Sequence, residues 1–160
     1  MSETLHAIEV EVNGKRRAAQ VPARLSLVDW LREELRLTGT HVGCEHGVCG
    51  ACSVMLDGEP VRACLMYAVQ AHSHRVTTVE GLARADGSLS TLQESFCDAH
   101  GLQCGYCTPG MLIAAQALLD ANPAPSEAEI REAIAGNLCR CTGYQQIVDA
   151  VRLAAERIRK

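Results

Sequence analysis

Residues 43–52 read GCEHGVCGAC, and this short stretch decides what kind of molecule the chain can fold into. Cys44, Cys49 and Cys52 follow a C-x4-C-x2-C spacing, and Cys64 comes after eleven intervening residues. This spacing is the plant-type [2Fe–2S] ligation pattern, in which four cysteine thiolates hold the cluster. Three of the thiolates would come from one wrapping loop, and the fourth from a distant strand.

Glycine is as dense as cysteine in this loop. Gly43, Gly47 and Gly50 lie between and beside the cysteines. A residue without a side chain allows backbone N–H groups to approach the sulfur atoms closely, and those groups offset the negative charge of four thiolates. We therefore expect the backbone of this loop to crowd a cluster.

A second set of cysteines lies in the other half of the chain. Cys104 and Cys107 form C-x2-C, and Cys139 and Cys141 form C-x-C thirty-one residues later. Both pairs are predicted to lie at helix ends, where a helix N-terminus favours thiolates. This spacing alone is less specific than the first, because a structural zinc site with four cysteine ligands can use it.

The composition excludes several classes of protein. The chain has 160 residues, a net charge of −4 with no basic stripe, and 48% hydrophobic residues. We therefore expect no nucleic acid partner. No apolar stretch reaches the length of a membrane span, and the N-terminus does not resemble a signal peptide. The nine cysteines are an odd number, which favours a cytoplasmic, reducing setting in which clustered thiols bind metal.

Periodicity predicts two halves of different character, 1–80 and 81–160. The first half has strand patterns at 7–12, 17–21 and 75–80 and a helix over 27–35, with hairpin turns predicted at 13–15 (Asn-Gly-Lys) and at Asp57-Gly58. The second half has helical patterns at 91–100, 109–121, 127–136 and 144–159. Ser90 and Ser126 each precede a glutamine or glutamate by three residues, which is typical of a capping box.

Three residues of the second half are assigned to packing alone. Cys97 belongs to neither cysteine set and is predicted to be a small buried residue on the first of the four helices. Tyr106 and Tyr144 are expected to pack and to have no further role.

Three motifs carry a family resemblance: GCEHGVCGAC with Cys64, QCGYCTPGM at 103–111 and GNLCRCTGY at 136–144. They resemble the iron–sulfur subunit of the molybdenum hydroxylases, the xanthine dehydrogenase and aldehyde oxidoreductase family. The resemblance covers nearly the whole chain, and a separate chain of this length is similar to the small subunit of the bacterial three-subunit enzymes. It implies an α+β protein with an N-terminal β-grasp, plant-ferredoxin-like domain and a C-terminal four-helix domain, each holding one [2Fe–2S] cluster.

The resemblance also implies partners and a route for electrons. Substrate would be oxidised at a molybdopterin-type molybdenum cofactor in a large subunit, and electrons would pass through the helical-domain cluster and the ferredoxin-domain cluster to FAD in a medium subunit. Gln103 corresponds to a residue that contacts the molybdopterin, and Glu45, His46 and Gly47 correspond to the loop that faces the flavin. A dimer of heterotrimers is expected, and the first loop favours an N-heterocyclic aromatic substrate.

Two other functions remain open at the level of the residues. A free-standing ferredoxin-like carrier would use the same ligands, and a zinc-stabilised interaction module would use four-cysteine sites without redox chemistry. Electron carriers that meet their partners by diffusion generally have strong charge for steering. The mild net charge of −4 favours a permanent subunit.

Overall fold

The N-terminal half is built on a mixed five-stranded sheet. The computed structural model describes residues 4–160, and the strands are β1 (Leu5–Val12), β2 (Lys15–Pro22), β3 (Ser53–Leu56), β4 (Glu59–Arg62) and β5 (Arg75–Thr77). Their order is β2-β1-β5-β3-β4, with β1 and β5 parallel and the other neighbours antiparallel. The predicted strand patterns and both hairpins are present.

The two hairpin turns follow directly from their sequences. Asn13 and Gly14 have φ angles of 50° and 73°, and Asp57 and Gly58 have φ angles of 51° and 95°. Two successive positive φ angles match the right-handed twist of the flanking strands, and Asn-Gly and Asp-Gly adopt them more readily than other pairs. The short turns therefore fix the register of β1 with β2 and of β3 with β4.

The first helix differs from the regular helix predicted over 27–35. Ser26 accepts a hydrogen bond from the Asp29 N–H at 3.1 Å and caps α1 (Leu27–Asp29), but the chain then widens into a π-helical turn over Trp30–Glu34. The Leu35 N–H bonds to the Trp30 carbonyl, five residues back, at 3.1 Å. Trp30 is fully buried in the core that α1 shares with the sheet.

The last predicted strand is shorter than its sequence pattern. β5 ends at Thr77, because the Thr78 N–H bonds to the Asn13 side-chain oxygen at 2.9 Å instead of to a neighbouring strand. A short 3₁₀ turn over Val79–Leu82 leads into the second half. The division of the chain at residue 80 stays a prediction.

Four α-helices form the C-terminal half: α2 (Thr91–Asp98), α3 (Thr108–Ala121), α4 (Glu127–Ile134) and α5 (Gln145–Ile158). Both predicted capping boxes are present, at Ser90 and Ser126. A second hydrophobic core joins these helices, with Phe96, Met111 and Ile147 almost fully buried. The α+β class, a ferredoxin-like sheet followed by a helical domain, is confirmed.

The prediction for Cys97 was wrong, because its side chain is exposed. On α2 the buried face is formed by Leu92, Ser95 and Phe96, and Cys97 lies just past that face. Within the part of the chain that the structure describes, no helix is long and apolar enough to cross a lipid bilayer.

Candidate iron–sulfur centres

The first cysteine set lies where a loop meets the end of the sheet. Cys44 and Cys49 come from the loop between the π-helical turn and β3, Cys52 immediately precedes β3, and Cys64 lies in a short 3₁₀ turn after β4. The thiols associate in two pairs, Cys44 with Cys49 and Cys52 with Cys64. The hairpin β3–β4 therefore brings Cys64 back to the loop, but Cys64 follows the strand and does not lie in it as predicted, because the chain turns after Arg62.

The two pairs of the first set have different surroundings. The Cys44 sulfur accepts hydrogen bonds from the backbone N–H groups of His46 and Cys49, which lower the pKa of Cys44 to about 6. Burial raises the pKa of Cys52 to about 11. Backbone donors directed at sulfur stabilise negative charge there, which is what thiolates on an iron–sulfur cluster require.

The three loop glycines are needed for three different reasons. A Cβ added at Gly43 would lie 3.1 Å from the Cys49 sulfur, which agrees with a backbone that crowds the cluster. At Gly47 a Cβ would instead meet the Leu65 side chain at 2.4 Å. At Gly50 it would meet the Gly136 carbonyl oxygen of the other half at 2.6 Å. The expected crowding around sulfur is seen directly at Gly43 and stays a prediction for Gly47 and Gly50.

The second cysteine set lies between the ends of helices. Cys104 and Cys107 precede α3, while Cys139 and Cys141 lie in the loop between α4 and α5. These thiols also pair across the chain: the Cys104 and Cys141 sulfurs are 3.5 Å apart, and the Cys107 thiol pairs with the Cys139 thiol. Cys104 and Cys141 are exposed, whereas Cys107 and Cys139 are partly buried.

Polar groups favour the thiolate form at two positions of the second set. The Tyr106 N–H bonds to the Cys104 sulfur and lowers its pKa. Cys139 is partly buried, which raises its pKa, but hydrogen bonds from the Thr142 hydroxyl and backbone N–H outweigh the burial and the net shift is downward. Burial raises the pKa of Cys107 to about 12.

The pairing of the sulfurs bears on which metal each set can hold. A structural zinc ion takes four ligands at one tetrahedral centre. A [2Fe–2S] cluster divides four ligands between two irons, two to each. Each set brings four cysteine thiols together, which is the number of ligands that a [2Fe–2S] cluster needs.

Hydrogen bonds join the two cysteine loops. The Leu138 N–H donates to the Cys49 carbonyl at 2.8 Å, and the Asn137 side-chain amide donates to the Gly50 carbonyl at 3.0 Å. Arg62 reaches the same place and donates to the Gly136 carbonyl at 2.6 Å. Sequence reasoning missed these residues, because a contact between residues 87 positions apart leaves no local pattern.

Tyr106 and Tyr144 do more than pack, contrary to the sequence prediction. The Tyr106 hydroxyl donates to the Val42 carbonyl, and its ring stacks on His41 with 5.0 Å between centroids. The Tyr144 hydroxyl accepts the Cys139 N–H at 2.9 Å. Tyr106 is therefore a second, more exposed connection between the two loops, and Tyr144 orders the backbone at a cysteine of the second set.

The residues expected to face partners lie at the surface. Gln103 is exposed next to Cys104. Glu45 and His46 are exposed and Gly47 is partly exposed, and Glu45 adopts a left-handed backbone with φ 59°. Large apolar side chains are also exposed beside each set: Val48 and Leu65 near the first, Leu138 near the second.

Comparison with known proteins assigns a cluster type to each half. Residues 10–74 match the family model described as a 2Fe-2S iron-sulfur cluster binding domain, and residues 78–152 match the model of a [2Fe-2S] binding domain. The chain is 57% identical over 150 residues to the caffeine dehydrogenase subunit gamma of Pseudomonas sp. (strain CBB1), covering 92% of this chain and 89% of the relative. The chain belongs to the small iron–sulfur subunit family of the molybdenum hydroxylases.

Other members of the family are similar over nearly their full length. The nicotine 6-hydroxylase small subunit of Paenarthrobacter nicotinovorans is 56% identical over 144 residues, covering 90% of this chain and 86% of the relative. In the crystal structure of quinoline 2-oxidoreductase from Pseudomonas putida 86, the matching chain has a TM-score of 0.93 and 50% identity, with 98% of each chain covered. This chain is accordingly a subunit of an oxidoreductase and binds two [2Fe–2S] clusters.

Proposed function

We propose that this chain relays electrons from a molybdopterin-binding large subunit to an FAD-binding medium subunit during the oxidative hydroxylation of a small substrate. The observation that carries the proposal is the direct hydrogen bond, 2.8 Å long, between the Cys49 carbonyl in one cysteine loop and the Leu138 N–H in the other. Two redox centres that share a bonded contact are suited to passing electrons between them. The clusters supply the redox chemistry, and the chain supplies their positions and surroundings.

We assign the ligands by the sulfur pairs. Cys44, Cys49, Cys52 and Cys64 would hold the cluster of the ferredoxin-like half, and Cys104, Cys107, Cys139 and Cys141 would hold the cluster of the helical half. The backbone N–H groups of His46 and Tyr106 would stabilise charge on the sulfurs that they contact.

Exposed residues beside each cysteine set support two partners. Gln103 and Leu138 lie beside the second set, where we place the molybdopterin-binding subunit, with Gln103 as the pterin contact. The exposed loop at 45–47 and the apolar side chains of Val48 and Leu65 lie beside the first set, where we place the flavin subunit. A dimer of such heterotrimers in the cytoplasm completes the proposal.

The names of the relatives support a substrate class. Caffeine, nicotine and quinoline appear in the names of proteins that are 50–57% identical to this chain. All three compounds contain a nitrogen heterocycle. We therefore propose an N-heterocyclic aromatic substrate for the complex, bound by the large subunit.

A cysteine substitution tests the ligand assignment and the order of the clusters. In the intact complex, Cys139→Ser should remove the cluster of the helical half, leave the ferredoxin-type signal in electron paramagnetic resonance, and stop electron flow from substrate. The matched control is Cys97→Ser, which changes an exposed cysteine outside both sets. If Cys139→Ser kept both signals and full turnover, the ligand assignment would be wrong.

Metal analysis separates the proposal from its alternatives. Two [2Fe–2S] clusters require about four irons per chain and give visible absorption that dithionite bleaches. A colourless chain with bound zinc would indicate an interaction module, and a chain that purifies without molybdenum, FAD and larger partners would indicate a free-standing carrier.

Gln103→Ala should weaken coupling to the pterin while both clusters remain.

A further inference from the structure

The contact between the two cysteine loops is held by a polar junction, which we define as Ser53 and Arg62 of the first half and Asn137 of the second. We propose that Arg62 and Asn137 are positioning residues that keep the Cys49 carbonyl bonded to the Leu138 N–H and thereby set electronic coupling between the two clusters. This inference rests on the proposed electron relay, and it assigns to two residues a role that the cysteine motifs do not contain.

Asn137 is the buried side of the junction. Its side chain is 2% exposed, and its amide donates to the Gly50 carbonyl at 3.0 Å. The adjacent Leu138 N–H donates to the Cys49 carbonyl at 2.8 Å. Two consecutive residues of one loop thus bond to two consecutive carbonyls of the other, which fixes both the separation and the register of the loops.

Arg62 of the first half also bonds to both loops at this junction. One of its nitrogens donates to the Ser53 hydroxyl at 2.5 Å, and the other donates to the Gly136 carbonyl at 2.6 Å. The Ser53 hydroxyl in turn donates to the Gly50 carbonyl at 2.6 Å. The planar guanidinium can hold two acceptors in a fixed direction, whereas a lysine ammonium is a single flexible point charge.

The consequence is a continuous path of bonds between the two cysteine sets. From Cys49, a proposed ligand of the first cluster, one hydrogen bond leads to Leu138, which is covalently joined to Cys139, a proposed ligand of the second. Electronic coupling decays more slowly through covalent and hydrogen bonds than across a gap between non-bonded atoms. Loosening the junction would replace the hydrogen bond by such a gap without touching any sulfur atom.

A role restricted to stability would predict a different outcome from a positioning role. If the junction only stabilises the fold, its variants lower the unfolding midpoint and leave the interaction of the clusters intact. If it positions the loops, its variants weaken the magnetic interaction of the two reduced clusters and slow transfer between them, while iron content and both individual signals persist. The conservative variant should retain part of the interaction.

The experiment uses the full chain in its holo complex, reduced by dithionite. Arg62→Met, Arg62→Lys and Asn137→Ala are compared with Arg152→Met, a control that removes only a surface ion pair with Asp149 of 3.0 Å. The readouts are iron per chain, the electron paramagnetic resonance signal of each cluster, and the enhancement of one cluster's spin relaxation by the other.

We expect loss of relaxation enhancement in Arg62→Met and Asn137→Ala, an intermediate value in Arg62→Lys, and the wild-type value in Arg152→Met. Wild-type enhancement in all three junction variants would overturn the positioning role. Absence of two reducible clusters in the unmodified chain would instead contradict the proposed function itself, so the two failures are distinguishable.

Discussion

Gly110, in the first turn of α3, packs directly against the first cysteine loop. A Cβ placed on Gly110 would lie 2.2 Å from the Gly50 carbonyl oxygen and 2.8 Å from the Asn137 amide nitrogen. An ordinary contact between carbon and carbonyl oxygen is about 3.4 Å, so α3 and the loop would have to separate by about 1 Å. Gly110→Ala is therefore expected to open the interface between the two halves.

The magnitude follows from three terms. Forcing an extra methyl group into a packed site costs about 1–3 kcal/mol. Stretching the hydrogen bond from Asn137 to Gly50 costs about 1 kcal/mol, and replacing glycine by alanine in a helix returns up to about 1 kcal/mol. The net expectation is a loss of about 1–3 kcal/mol of stability, which corresponds to a fall in Tm of about 2–12 °C in a chain of this size.

The assay is denaturant unfolding of the holo protein, followed by circular dichroism and by visible absorption of the clusters. Gly87→Ala is the comparison, because a Cβ at Gly87 meets no heavy atom within 4 Å and its φ of 84° isolates the cost of backbone strain. That strain is worth about 1–2 kcal/mol. A midpoint for Gly110→Ala at or above the wild-type value would refute the close approach and, with it, the packing of α3 against the loop.

Further predictions concern local contacts. Gly43→Ala should weaken the ferredoxin-type cluster and shift its electron paramagnetic resonance signal, because the new methyl would lie 3.1 Å from the Cys49 sulfur; an unchanged signal would contradict crowding there. Tyr106→Phe removes the hydroxyl bond to the first loop and should lower the unfolding midpoint by about 1 kcal/mol, whereas a wild-type midpoint would show that the bond contributes nothing. Ser126→Ala should cost about 1 kcal/mol through loss of the N-cap, measured by denaturation at neutral pH. The Ser126 hydroxyl also lowers the pKa of Glu129, so the stability difference between wild type and Ser126→Ala should be full above the ordinary carboxyl pKa and shrink as the pH falls through it; a difference independent of pH would refute this.

Local signals in the sequence predicted most of the secondary structure. The Asn13-Gly14 and Asp57-Gly58 turns and the Ser90 and Ser126 capping boxes are interactions among residues close in sequence, and each is present. Because each turn or cap depends on only a few neighbouring residues, it can be predicted from the sequence without knowledge of the fold. The local signals do not predict how the elements assemble, and the expectation of a ferredoxin-like half followed by a helical half came from the family resemblance.

Features that depend on distant contacts could not be read from the sequence. Trp30 begins a π-helical turn in the core of the first half, and no residue type in the segment marks that change. Cys97 is exposed although its residue type is usually buried. A Cβ at Gly50 would meet the Gly136 carbonyl of the other half, a contact that the neighbouring cysteines do not indicate. Local motifs carry no information on any of these three features.

The bonds of Asn137 and Leu138 to the first loop limit how freely the two halves can be recombined. A chimera that joined this ferredoxin-like half to an unrelated helical module would lose the bond from the Leu138 N–H to the Cys49 carbonyl and the bond from the Asn137 amide to the Gly50 carbonyl. Each lost hydrogen bond costs about 1 kcal/mol. Modular exchange within this family should therefore succeed when the segments around residues 49–53 and 136–138 are transplanted together, as one inherited unit.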